Sequence, residues 1–316
     1  MPLISRKRVL AAKIEATPYT AIAVAAADAT FNVFDPIIQP TIESFDRMSQ
    51  GSFSYLPASS GLRSGTCTFR TEITGDGAGA GTVPAWASTF LPACGWVDVT
   101  PGTFAPLTDV PVATTADKVK TLTMSCYVDG TLKSIRGAVG TFVINLEAGK
   151  PAFIEFTFVG AWTVKSDTPI LAPTYTTVLP FRFAASTISV SGLAPCIESC
   201  TIDAGNTTTL LPCQANSDNS GYKGGIISAR RPTITMNPES ELVTTNTFVA
   251  DWIASTQDAF TLTLTNLTDS FVISAPKLQP INVQEGERGG LVTDEVTFLC
   301  CKSAAGGDDE LTFNFN

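Results

Sequence analysis

Apolar and polar residues alternate with a period of two along most of this chain, the pattern of strands that bury one face. In the first half the alternation predicts strands over 37–45, 66–73, 118–128, 131–147 and 152–162, the first interrupted by Pro40. In the second half it predicts strands over 187–190, 197–204, 231–236, 260–265, 270–283 and 291–301. Asp129-Gly130 reads as a two-residue hairpin turn, because both positions tolerate positive φ. Two segments switch to helical spacing. One starts at Pro84, carries Trp86, Phe90 and Leu91 on one face, and stops at Gly95. The other spans 246–255, with Asn246 or Thr245 as N-cap. Residues 9–15 read as a turn or two of helix that Pro18 stops. Stretches over 46–61, 75–81 and 205–225 read as loops, the first with exposed Phe53 and Tyr55. Each half is thus β-β-loop-β-helix-β-β-β, and the fold class expected is mainly β.

Short segments recur. Trp86 in Pro84-Ala85-Trp86-Ala87-Ser88 and Trp252 in Ala250-Asp251-Trp252-Ile253-Ala254-Ser255 lie 166 residues apart (252 − 86). The same offset carries 66–70 onto 232–236, and Glu155-Phe156-Thr157-Phe158 echoes Glu295-Val296-Thr297-Phe298. Agreement in order, element type and spacing points to an internal duplication. The expected organisation is an N-terminal arm over 1–30, a first β domain over 31–165, a Pro/Thr linker over 166–180, a second β domain over 181–302 and a tail over 303–316. The tail ends in the alternating Leu311-Thr312-Phe313-Asn314-Phe315-Asn316, expected to add an edge strand to a neighbour.

Hydrophobic residues make up 44% of the 316 residues and charged ones 16%. That is enough apolar material for a core in each half, but sparse charge for a free surface, so partners are expected to cover part of it. A net charge of −9 argues against a protein that binds nucleic acid by neutralising phosphates. It suits an acidic wall past which DNA slides. Residues 1–16 hold Arg6, Lys7, Arg8, Lys13 and Glu15 without the apolar stretch of a secretory signal, and no apolar run has the length of a membrane helix. The eight cysteines are therefore expected as free thiols, with Cys196 and Cys213 placed to pair in an oxidising medium.

There is no histidine, which excludes Ser-His-Asp and Cys-His systems and His-ligated zinc. Cys196-x-x-x-Cys200 and Cys300-Cys301 lack the spacing of paired metal ligands. Gly75-Asp76-Gly77-Ala78-Gly79-Ala80 fits G-x-G-x-x-A. However, the strand before it carries Arg70 and Glu72, the helix starts too late, and no βα series follows, so a loop is expected rather than a dinucleotide site. Asp308-Asp309 and the pair Glu285 and Glu287 read as solvated turn carboxylates, and Asn206-Thr207-Thr208 and Asn266-Leu267-Thr268 as glycosylation acceptors without a secretory context. Phe142, Phe153, Phe156, Phe158 and Trp162 fit core-facing strands. No enzymatic activity, cofactor or metal is expected.

One ordered series of segments resembles the tail tube (major tail) proteins of long-tailed bacteriophages. It comprises residues 8–15, Gly51-Ser52-Phe53-Ser54-Tyr55-Leu56-Pro57, residues 61–69, Pro84-Ala85-Trp86 and Leu91-Pro92-Ala93-Cys94-Gly95-Trp96. Asp129-Gly130, Gly140-Thr141-Phe142 and Gly149-Lys150-Pro151 before Phe156-Thr157-Phe158-Val159-Gly160 complete it. The resemblance implies two tandem β-sandwich or rolled-sheet domains, each with one short flanking helix. It implies a structural virion protein that self-assembles into stacked rings, the tube through which DNA is ejected. Because two such domains lie in one chain, a trimeric, pseudo-six-fold ring is expected, with a hexamer carrying outer second domains as the alternative. The loops over 46–61 and 205–225 are expected to reach the next ring, with Phe53, Tyr55, Leu56, Leu210, Leu211 and Tyr222 as contacts. The partners implied are further copies of the chain, then a tape measure protein, a tail terminator and a tail tip or baseplate, with DNA passing unbound. Such a protein is assembled in the host cytoplasm and resides in the virion. The competing expectations are another tail component, such as a terminator or hub, and a carbohydrate-binding β-sandwich.

Overall fold

The structure is a computed structural model that describes residues 3–79, 81–112, 118–215, 218–243, 245–266 and 268–316. The first half holds β1 (Arg8–Ile14), β2 (Val33–Met48), β3 (Tyr55–Glu72), helix α1 (Ala85–Phe90) with a 3-10 turn (Leu91–Cys94), β4 (Trp96–Thr100) and β5 (Thr103–Pro106). It continues with β6 (Leu122–Val128), β7 (Thr131–Glu147) and β8 (Phe153–Asp167). The second half holds β9 (Thr187–Val190), β10 (Ile197–Asp203), β11 (Asn206–Pro212), β12 (Tyr222–Arg230), β13 (Thr233–Pro238) and helix α2 (Phe248–Ala254). Then come β14 (Asp258–Thr265), β15 (Ser270–Arg288), β16 (Leu291–Cys301) and β17 (Thr312–Phe315). The molecule is mainly β and its sheets are antiparallel, as the alternation predicts.

Pairing order repeats between the halves. The first half runs β1-β6-β7-β8-β3-β2 and the second β9-β14-β15-β16-β13-β10. Both series belong to one sheet, because Val143–Glu147 of β7 pairs with Ser199–Asp203 of β10. β17 makes a second joint, between Phe271–Ser274 of β15 and Phe104 of β5. The tail is therefore a strand of its own chain, not an addition to a neighbour. Its Phe313 and Phe315 complete the aromatic core: Phe313 packs against Trp96, Phe142 and Phe271, and Phe315 against Trp86, Phe104 and Phe271. One cluster of buried apolar residues runs through both halves.

The register corrects the sequence alignment. Phe69 pairs with Phe156, and Met236 pairs with Val296. The counterpart of Phe69 is thus Met236, an offset of 167 and not 166 (236 − 69). A slip of one residue in a strand exchanges its faces, and Thr235, the counterpart by the shorter offset, is exposed. The tryptophans are not equivalent either. Trp86 is buried and donates its indole N–H to the Thr74 carbonyl at 3.1 Å, whereas Trp252 is 40% exposed. It is Phe248 of α2 that packs on Phe298, as Phe90 of α1 packs on Phe158.

Other expectations change locally. The segment expected as helix over 9–15 forms the strand Arg8–Ile14, with Glu15 just beyond it; a short apolar run cannot be assigned by period alone, and pairing with β6 decides it. Pro40 does not interrupt β2, which is an edge strand where a missing N–H costs no ladder bond. On that edge the carbonyls of Pro36 and Ile38 accept bonds from the Arg8 and Lys133 side chains, at 3.4 and 3.2 Å. The second helix is N-capped at Thr247, not at Asn246 or Thr245. Residues 96–106 add a hairpin, β4–β5, where no strand was expected. Phe153 is not a core residue; it is half-buried on the opposite face, beside Phe34 and under the Arg70 guanidinium. The Gly75–Gly79 loop is held by buried Asp269, whose carboxylate accepts the N–H groups of Gly77 and Gly79 at 3.2 Å each. Ala80 of that motif and Leu267 of the second acceptor motif lie outside the described residues.

Candidate functional site: two arms of one register

The loops expected over 46–61 and 205–225 are the ends of two long β-hairpins, here called arms. The first is made by β2 and β3, the second by β11 and β12 continuing from β10 and β13. Their bases correspond: Ile38 faces Cys67, and Ile202 faces Ile234, all four buried. Further out, Ile42 faces Arg63 and Asn206 faces Arg230. Both ladders then shift register, to Ser44 facing Ser60 and Thr208 facing Ile227. Both shift again near the tip, the first between Phe45 and Arg47 and the second between Leu211 and Pro212, and they end on Met48 with Tyr55 and Pro212 with Tyr222. Such irregularities bend a strand locally, so the two arms share one built-in course.

Their surroundings differ. The second arm leaves the main sheet at Gly205, whose φ of +60 favours glycine, and forms a separate two-stranded ribbon. It lies across the first half, on the face of β7 and β8 that carries Val139 and Val159. At Gly137, also at positive φ, the backbones nearly touch: a Cβ there would stand 2.9 Å from the Cα of Gly224. A Cβ on Gly225 would stand 2.6 Å from a methyl of Val139. Glycines on both sides permit this approach.

A buried guanidinium locks the arm down. Arg136 of β7 donates from Nε to Asp218 at 2.5 Å, from Nη1 to the carbonyls of Tyr19 and Lys223 at 2.8 and 2.7 Å, and from Nη2 to Ser220 Oγ and the Tyr222 carbonyl at 3.3 and 3.1 Å. All five donors of the fork are used. Burial pushes the Asp218 carboxyl up, but hydrogen bonds from Arg136 and Ser220 outweigh it and hold the carboxyl below its ordinary 3.8. Beneath, the buried carboxylate of Glu15 accepts from the N–H groups of Tyr19 and Gly137, both at 2.8 Å, and from the hydroxyls of Thr121 and Thr123 at 2.5 and 2.8 Å. The Lys223 ammonium sits 5.0 Å from the Tyr19 ring centre. At the arm's root, Arg230 lies over Trp96 and binds Asp308 and Glu310 at 2.8 and 2.6 Å. Asp308 is thus a partner in this network, not a solvated turn carboxylate.

The first arm is covered only at its root, where the Arg63 N–H donates to the Ser220 carbonyl at 2.8 Å and Leu62 packs on Gly221. From Gln39 to Met48 every residue of β2 is exposed, and Phe53 at the tip is wholly so. Ile42, Phe45, Met48, Tyr55 and Leu56 are exposed with it. The six expected contact residues are therefore split: Phe53, Tyr55 and Leu56 stand free, while Leu210, Leu211 and Tyr222 are half-buried in the docked arm. Sequence reasoning missed the anchors Arg136, Asp218 and Glu15. The signal available was Gly224-Gly225 facing Gly137, a sign of close backbone approach.

No protein-family model and no curated protein matches this chain.

Cys196 is a free, exposed thiol, and Cys67, Cys94, Cys126, Cys200, Cys300 and Cys301 are free as well. Burial pushes the thiols of Cys126 and Cys200 up to about 11 and about 12. Among the described residues no three Cys, Asp or Glu side chains are grouped to hold a metal ion. The groups that do converge, around Arg136 and Arg230, neutralise one another and hold backbone in place. Their work is adhesion between parts of the chain.

Proposed function

We propose that this chain is a structural virion protein that builds a phage tail tube from stacked rings, with three chains contributing six similar β units per ring. The observation that carries the reading is the repeat of one pairing order, with one arm docked across the neighbouring half and the outer part of the equivalent arm exposed. A unit that binds its neighbour through an arm, and ends in a free arm, is a unit for repetition; a closed ring removes the loose end. The resemblance to tail tube proteins supplies the identity of the ring. In this reading the free arm, with Phe53, Tyr55 and Leu56, meets further copies. A tape measure protein, terminator and tip complex engage the ends of the tube, and the acidic chain lets DNA pass.

Electron microscopy of the purified protein tests this. Three-fold averages with six similar lobes, stacking into tubes, are the expected result. Six chains per ring with half the mass outside would replace the trimer and keep the tube. Monomers under all conditions, including with the tip complex present, would overturn the reading.

A further inference from the structure

We infer that the first arm docks on the second half of another copy, across the face of β15 and β16 that carries Lys277, Gln279, Leu299 and Cys301. The inference rests on the self-assembly reading only for the presence of a second copy; the surface itself follows from the internal equivalence.

The receiving face is found by register. Arg136 pairs with Ala161 and Val139 with Val159 in the first half. Lys277 pairs with Cys301 and Gln279 with Leu299 in the second. Val159 and Leu299, like Phe158 and Phe298 before them, are 140 apart (299 − 159). Lys277 thus stands where Arg136 stands, a cation again, and Gln279 where Val139 stands. In the first half this face is covered by the second arm. In the second half the same four positions are only half-buried. No hydrogen bond or ion pair occupies the Lys277 ammonium among the described residues.

The arm brings matching groups. Tyr55 and Leu56 hold the places of Tyr222 and Lys223, whose carbonyls accept from Arg136. Leu56 is paired with Arg47 where Lys223 is passed over in its ladder, so the acceptor the arm offers Lys277 is the carbonyl of Tyr55, at the last pair of both arms. Tyr55, like its half-buried counterpart Tyr222, then gains cover from Leu299 and the stems of Lys277 and Gln279; Leu56, like exposed Lys223, lies on the other face of the strand. The pose is not a strict copy. Pro57 and Ala58 replace Gly224 and Gly225, so the free arm sits a side chain's width higher, and flexible Gln279 in place of Val139 leaves that room. The Arg8 and Lys133 side chains that hold the outer carbonyls of β2 are long and displaceable, so the neighbouring edge can close up as well.

Cross-linking between separately made chains tests it. One chain carries Ala58→Cys and the other Gln279→Cys, both with Cys196, Cys213 and Cys301 replaced by serine. Near-ultraviolet circular dichroism checks that each is folded. Mixed and oxidised during assembly, they are expected to give a disulfide-linked pair of unlike chains. A control pairing Ala58→Cys with Val243→Cys, exposed on the surface before α2, is expected to give at least tenfold less. Rings or tubes that form without the 58–279 link, or with equal linking to position 243, overturn the arm's docking and leave the tube reading intact. No assembly and no link overturn both.

Discussion

Arg136 and Lys277 hold the same place in two halves with the same strand order, yet one is buried in five hydrogen bonds and the other is half-exposed. The two arms differ likewise: alike in register up to their outer shift, opposite in cover. Strand order does not explain the contrast. What explains it is that one arm lies along the other half of the chain, while the other meets its neighbour only at Leu62 and Arg63. The chain is finished as a fold and unfinished as a surface.

Substitutions made in pairs, one in each half, can break this comparison. The largest effect is expected at the guanidinium. Arg136→Ala leaves Asp218 and several buried carbonyls without a donor and should destabilise the subunit by about 3–5 kcal/mol. Lys277→Ala should change the isolated subunit by less than about 0.5 kcal/mol. Chemical denaturation of both variants measures this, and equal losses would mean that the two sites are equally engaged. Next come the close approaches. Gly225→Val forces a side chain into Val139 and should cost about 1–3 kcal/mol. Its counterpart Ala58→Val, on the free arm, should be neutral in the monomer.

Acid sharpens the contrast without mutation. The carboxyls of Asp218 and Asp308 are both lowered, since hydrogen bonds from Arg136, Ser220, Thr108 and Arg230 overcome the upward push of burial. A lowered carboxyl contributes its full stability above the ordinary 3.8 and loses it as pH falls through the lower folded value. Hydrogen exchange should therefore show β11 and β12 loosening below pH 3.8 before the core strands do, while the first arm exchanges freely at every pH. Simultaneous opening of core and arm would count against local locking. The smallest effect on the fold is expected from Phe53→Asp with Tyr55→Asp: an unchanged melting temperature, but no assembly by sedimentation or microscopy. Normal assembly by that variant would remove the free arm from any interface.

The bounds read for β7, β9 and β16 match to the residue; turn residues bound β7 at Asp129-Gly130 and Gly149, and its outer half alternates although residues 134–140 are all buried. The alternation rule failed for β1, whose apolar run carries no period, and for β4 and β5, too short to show one. The duplication was legible, but through the wrong letters. Matching tryptophans suggested an offset that puts the wrong face inward, whereas the equivalence resides in which strands pair. Of the site, the exposed tip at Phe53 and Tyr55 was legible as apolar residues within a polar loop. The docked state of the second arm was not, since nothing local in Leu210 or Tyr222 reveals that Arg136, far away in sequence, holds the backbone beside them.

β17 has a consequence for the order of events during synthesis. Phe313 and Phe315 close the seam among Trp96, Phe104, Phe142 and Phe271, residues translated long before them. Until that short strand arrives, the growing chain holds an open aromatic cleft, which is the kind of exposed surface that aggregates. A chain interrupted before Phe313 therefore keeps that cleft open and is lost to aggregation instead of completing the fold.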